Sequence, residues 1–243
     1  ITTTTDTDTI KSNIQTFVTE MNTVRTLLQE LTNVDTSSNT ASILTGNYGV
    51  QLIQSRLETA VATIGVGFDY NKDTYSVLSQ LGITTDAEEG SSTEGLLVID
   101  DDTLDAILTS NADAVAKLFA ASYAGSSSSS ELSISSYISG TTECGTYEVS
   151  YTTDSSGKIT AATINGHEAI FHSNSSLITG QHGYDEAGLV INCIDVTAGT
   201  HTGTISLRQG KMGELSGIVD DLLDPTNGPL VILDENYDDI VAM

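Results

Sequence analysis

The spacing of apolar residues changes period twice along this 243-residue chain, and the two changes limit the folds open to it. Ile10, Ile14, Phe17, Met21, Val24, Leu28 and Leu31 recur at steps of three and four, which lays one stripe along a helix of about six turns. Asp8 or Thr9 is the expected N-cap, because a short polar side chain can accept from the free amides of a first turn. The same period in Val50, Ile53, Leu57, Val61 and Ile64 predicts a second helix over about residues 47–63, stopped by Gly65 and Gly67. A polar loop separates the two helices. A short helix over about 73–81, a strand at LLVI and two further helices follow. The first of these opens on Asp100, Asp101 and Asp102, and the second carries Val115, Leu118 and Phe119 inward.

At Gly125 the pattern breaks. GSSSSS has the composition of a flexible linker, and from about residue 131 the period is two. Tyr147, Val149 and Tyr151 alternate, DSSGK supplies a turn, and Ile159, Ala161 and Thr163 alternate again, which predicts a hairpin. HEAIFH, GLVINCIDV and TGTISLR are further strand-like runs. Helical spacing returns with Met212, Leu215, Ile218, Val219 and Leu222 and is broken by Pro225, Gly228 and Pro229. A last helix is expected over 236–243. The fold class is α+β: an antiparallel helical domain (1–125 and 210–243) with a small antiparallel β-module (126–209) inserted into it. The first and last helices are expected to pair antiparallel, with Leu215, Ile218 and Leu222 covering the stripe of the first.

Eight basic residues against 33 acidic ones give a formal charge of −25. Nucleic acid is excluded as a partner, since binding it depends on Lys and Arg displacing counterions from phosphates. An anionic membrane surface is disfavoured for the same reason, and no apolar run reaches the roughly 18 residues of a spanning helix. The chain opens ITTTTDTDTI without an initiator Met, so it reads as part of a longer protein.

All four histidines (His167, His172, His182, His201) and both cysteines (Cys144, Cys193) fall in the β-module. None shows the close ligand spacing of a zinc site, so no metal ligand is assigned. Cys144 and Cys193 admit two readings, a disulfide across the sheet or two separate thiols. The runs Asp100–Asp102 and Asp220, Asp221, Asp224 lack the alternating ligands and sixth-position glycine of a calcium loop, and acidic residues at helix starts follow from the dipole alone. There is no nucleophile elbow, phosphate loop or dinucleotide fingerprint, so no catalytic or cofactor-binding residue is assigned and the chain is read as a non-enzyme.

The order of elements, together with IKSNIQTFVTEMNTV, YSVLSQLGITTD, GLLVIDDDTLDAIL, NADAVAKLF and GELSGIVDDLLDPTNGPL, resembles the C-terminal region of flagellar filament cap proteins, the flagellar hook-associated protein 2 family. The resemblance covers about residues 8–122 and 210–243, and it leaves the β-module among the family's variable insertions. It implies a leg-like helical domain whose N- and C-terminal segments lie side by side, β-structured heads, and a small ring at the filament tip. The implied partners are flagellin, which the cap helps to fold and insert, and other cap subunits. The implied location is outside the cell, after export through the flagellar type III apparatus. Export requires an unlinked chain, so any disulfide would form outside. Some family members also contact host surfaces or mucin. A filament-associated adhesin or glycan binder is therefore the alternative, with Tyr137, Tyr147, Tyr151 and Tyr184 as its candidate aromatic platform.

With so acidic a surface, the isolated chain is expected to be a monomer or to associate weakly, because like charges oppose ring closure. Light scattering at micromolar concentration checks this, and the mass of a stable closed ring would overturn it.

Overall fold

The computed structural model describes residues 5–32, 34–35, 40–42, 44–120, 122–172 and 174–233, with 34–35 and 40–41 described by their backbone alone. The helix expected over 236–243 lies outside the described residues. The chain divides into two units. Unit 1 takes in Ile1–Gly65, Asp69–Ala121 and Gly210–Met243, and unit 2 takes in Val66–Phe68 and Ser122–Gln209.

Unit 1 is helical. Helix α1 (Thr7–Thr32) is followed by a two-residue strand pair, β1 (Val34–Asp35) with β2 (Thr40–Ala41), inside the segment expected to be loop. Helix α2 (Tyr48–Ala62) comes next, then a 3-10 turn (Leu78–Leu81) where a longer helix is expected. The hairpin β3 (Ile83–Thr85) and β4 (Leu97–Ile99) leads into α3 (Asp101–Phe119), and α4 (Lys211–Leu222) completes the unit. The cap of α1 is Asp6, not Asp8 or Thr9. Its carboxylate accepts from the Thr9 amide at 3.0 Å and from the Thr9 hydroxyl at 2.7 Å. The two helices expected from residue 101 onward are the two segments of α3, which meet at the non-helical Asn111 (φ −156°, ψ 60°). The Asn111 side chain there accepts from the Ala114 amide at 3.2 Å and caps the second segment.

Helix α1 packs on α2 and α3, and α4 also packs on α2 and α3. The expected side-by-side pairing of the first helix with the helix at 211–222 is corrected to this extent: the main helix partners of α4 are α2 and α3, and Met212 lines a cleft with Ile10, Ile14 and Phe17 of α1. Phe17 meets Phe119 edge to face at 5.8 Å, and Lys11 bridges Asp101 and Asp105 at 3.0 and 2.7 Å, which fixes α1 against α3. Leu215 and Leu222 are buried and Ile218 half-buried, against neighbours other than the one expected.

Unit 2 is all antiparallel. Its strands are β5 (Tyr123–Ser127), β6 (Leu132–Ser136), β7 (Gly145–Thr153), β8 (Ile159–Ile164), β9 (His167–Glu168), β10 (Ile170–Phe171), β11 (Leu177–Thr179), β12 (Val190–Cys193) and β13 (Gly199–Gln209). They form a five-stranded sheet in the order β5-β13-β7-β8-β9 and a four-stranded sheet in the order β10-β11-β12-β6. One shared core holds Leu132, Tyr147, Val149, Tyr151, Ile164, Ile178, Ile191 and Leu207 among others.

Two expectations change here. The serine run is not a linker: Gly125, Ser126 and Ser127 belong to β5 and pair with Leu207, Ser206 and Ile205 of β13. Small residues are required because β6 crosses close by. A Cβ on Gly125 would lie 2.5 Å from the Ile134 side chain, and one on Gly203 would lie 2.7 Å from Leu132. In the hairpin, Ile159, Ala162 and Ile164 point inward, not Ile159, Ala161 and Thr163. A register shift opposite Thr152 and Thr153 inserts one extra residue, so the inward phase moves by one.

The chain leaves unit 1 after Ala120 and returns at Gly210, and the two ends touch. A Cβ at Gly210 would fall 2.5 Å from the Ala120 backbone, so only glycine fits. The next residue, Lys211, is fully buried. Its ammonium donates to the Ala60 carbonyl at 2.6 Å and to the Glu214 carboxylate at 2.9 Å. Replacing it as Lys211→Met would leave the carbonyl without a donor and Glu214 without a counter-charge. A loss of about 3 kcal/mol is expected from urea unfolding. Adding Glu214→Gln to that variant is expected to recover part of the loss.

Candidate assembly surfaces and side-chain clusters

The stripe of α1 is rotated from the one expected. Its buried residues are Ile14, Val18, Met21, Arg25 and Leu28, while Ile10, Phe17 and Leu31 are half-buried and Val24 is 42% exposed. Ile10, Ile14 and Phe17 line a cleft of about 260 Å³ with Ala116, Phe119 and Met212. Val24 is displaced by its neighbour Arg25, about 100° around the helix. The Arg25 guanidinium donates to the Gly95 carbonyl at 2.9 Å and to the Thr85 hydroxyl at 3.2 Å. Burial lowers its affinity for the proton, and Glu58 opposes that shift.

Asn22, one turn earlier, accepts from the Leu97 amide at 2.7 Å and donates to the Leu97 carbonyl at 2.8 Å, as a neighbouring strand would. Gln29 donates to the Glu94 carbonyl at 3.2 Å. Asn22, Arg25 and Gln29 thus bind the edge and turn of the β3–β4 hairpin. Their spacing of three and four was visible in the sequence, but an apolar template passes over it. Val24 and Leu27, at 42% and 54% exposure, are left on the outer face of α1, and Val219 and Leu223 are exposed at the end of α4.

One carboxylate of each acidic run serves the backbone. Asp100 caps α3 by accepting from the Thr103 amide at 3.1 Å and its hydroxyl at 2.8 Å, which holds the carboxyl below its ordinary value. Asp224 accepts from the Thr226 and Asn227 amides at 2.7 and 2.9 Å, with the same direction of shift.

Of the two readings of the cysteines, the structure has the separate thiols: Cys144 and Cys193 are both free. Cys144 precedes β7 at its Tyr147 end and Cys193 lies in β12 near the Tyr151 end, and burial first, then nearby charges that include each thiol, push the two phenols up. Four strand residues separate those ends by about 13 Å, against the roughly 7 Å limit between Cα atoms that a disulfide tolerates.

The histidines do not converge either. His172 and His182 are exposed. His167 stacks on Tyr184 with ring centres 3.7 Å apart and places Nδ1 2.7 Å from the buried Glu186 carboxylate. His201 faces Glu131 and Asp195, and these three are the one metal-type cluster among the described residues. Nor do the four tyrosines of the adhesin reading form a platform. Tyr147 and Tyr151 are core residues, exposed by 2% and 1%, with hydroxyls bonded to the Glu143 and Asp195 carbonyls. Tyr137 packs on Tyr123 at 4.9 Å.

Within unit 1 the Ala120 and Gly210 backbones meet, and Asp100 and Asp224 are bonded to backbone amides. A family model described as the C-terminus of flagellar hook-associated protein 2 matches residues 1–181, and the chain belongs to that family of flagellar cap proteins. The match reaches into the β unit as far as the end of β11 and stops short of 210–243, so the β unit is not wholly outside the family pattern. No curated protein and no solved structure matches the chain. Among the described residues no helix is long and apolar enough to cross a membrane.

Burial pushes the Cys193 thiol up to about 12 and, with Glu143 nearby, the Cys144 thiol up to about 11. Neither is a thiolate at neutral pH. The folded chain is expected to react with a chromogenic disulfide reagent at pH 8 far more slowly than the urea-unfolded chain, where both thiols titrate. A mass of two hydrogens less than the reduced chain before any treatment would show a disulfide instead.

Proposed function

We propose that the chain is part of a flagellar cap subunit that promotes flagellin folding and insertion at the filament tip, acting as a homo-oligomer in the full-length protein. The family match across residues 1–181 carries this reading, because it spans most of unit 1 and well over half of unit 2. Unit 1 is the part suited to assembly. Val24 and Leu27 on α1, with Val219 and Leu223 on α4, leave apolar side chains at the surface of an otherwise acidic protein. Contact between subunits must bury apolar area to overcome the repulsion of 25 net negative charges per chain. The β unit also leaves apolar side chains exposed, among them Ile138, Ile170 and Ile194, on a surface otherwise rich in Ser and Thr.

Gold-labelled antibody against the native protein, imaged by electron microscopy on intact filaments, tests the reading. Label confined to filament tips is expected, and removal of the protein is expected to release unassembled flagellin into the medium. Label spread along the shaft would count for a filament or adhesin role and against the cap.

A further inference from the structure

The connection after β12 folds back over the first residues of β6 and gathers three ligand-type side chains that a cap role leaves unused. Glu131 precedes β6, Asp195 lies in the β12–β13 connection, and His201 sits in β13. The frame beneath them is rigid. The Ile194 amide donates to the Glu131 carbonyl at 2.7 Å, the buried Tyr151 hydroxyl donates to the Asp195 carbonyl at 2.9 Å, and the Tyr151 ring stacks on His201 at 4.8 Å.

The tautomer of the neutral His201 ring follows from its partners. Its Nε2 lies 2.9 Å from the Thr197 carbonyl oxygen, which can only accept, so Nε2 carries a hydrogen. In the neutral ring Nδ1 then holds a lone pair. That lone pair faces Asp195 Oδ2 at 3.6 Å and Glu131 Oε2 at 3.9 Å, two further acceptors standing beyond hydrogen-bonding distance. The other Asp195 oxygen is taken by the Thr197 amide at 2.8 Å. Three electron-pair donors therefore converge with no hydrogen among them, and His201, the innermost, has a side chain only 11% exposed.

A four-coordinate ion with bonds of about 2.0–2.2 Å spaces its ligand atoms about 3.4 Å apart. The three atoms here lie within 4.8 Å of one another, and the half-exposed Glu131 side chain can close the remainder. The carbonyl bond on the second ring nitrogen is the support that ligating histidines ordinarily have. We infer that Glu131, Asp195 and His201 bind one divalent transition-metal ion of the zinc type, with water completing its shell. An imidazole ligand selects this class over calcium or magnesium. The ion ties the four-stranded sheet, through the start of β6, to β13 of the five-stranded sheet. It also steadies the connection that carries the exposed Ile194 and Val196.

The test is calorimetric titration of the tag-free chain with zinc chloride in a non-coordinating buffer, alongside thermal unfolding with and without a chelator. One ion per chain and a zinc-dependent rise in melting temperature are expected, with affinity reduced at least about tenfold in Glu131→Gln and in His201→Gln. His182→Gln, away from the cluster, should bind as the parent does, and calcium should not compete. Glu131 is exposed enough that its variant reports binding even if His201→Gln disturbs folding. Absence of saturable binding, or affinity unchanged in Glu131→Gln, would overturn the site.

Discussion

The buried ammonium of Lys211 is the contact on which the rest of unit 1 depends. After some ninety residues in the β unit the chain must re-enter a helical body, and an error in that entry would misplace α4 against both α2 and α3. Lys211 removes the freedom by donating to the end of α2 and to Glu214 in its own first turn. A buried charge is costly unless its hydrogen bonds are met, so the position of entry is sharply specified. Gly210 supplies the steric half of the same constraint, since its backbone lies against Ala120 with no room for a side chain.

A comparable logic holds the β3–β4 hairpin. Two strands of three residues cannot persist on their own. They persist because Asn22, Arg25 and Gln29 on α1 meet backbone and hydroxyl groups along the hairpin edge and turn, while Ile83 and Leu97 reach the core. The helix thereby gives up an apolar position to a guanidinium, and Val24 turns to the surface. On the proposed cap role, an exposed apolar side chain on a helix fixed this firmly is a usable contact between subunits.

Unit 2 depends on close approach. Gly125 and Gly203 open space on the five-stranded sheet for Ile134 and Leu132 of β6, and the bulge in β8 turns Ala162 and Ile164 inward together. The serines of β5 and its turn serve the backbone: the Ser128 hydroxyl accepts from the Thr204 amide at 2.8 Å, and the Ser129 hydroxyl accepts from the Glu131 amide at 3.0 Å. These bonds carry the chain from one sheet to the other and set Glu131 opposite His201.

Periodicity alone determined the α+β class, the helix over 48–62, the strand at 97–99, the β7–β8 hairpin and the helix over 211–222. Each rests on local preference and on one face being buried, which a short window of sequence records. The acidic cap of α3 was legible for the same reason. Tertiary structure alone decided which helices meet, that Arg25 displaces Val24 from the stripe, that the first part of GSSSSS pairs as a strand, and that Cys144, before β7, and Cys193, in β12 of the other sheet, stay separate thiols. It also decided the convergence of Glu131, Asp195 and His201, which lie up to 70 positions apart in the chain. Their meeting depends on strand order, which leaves no periodic trace in the sequence.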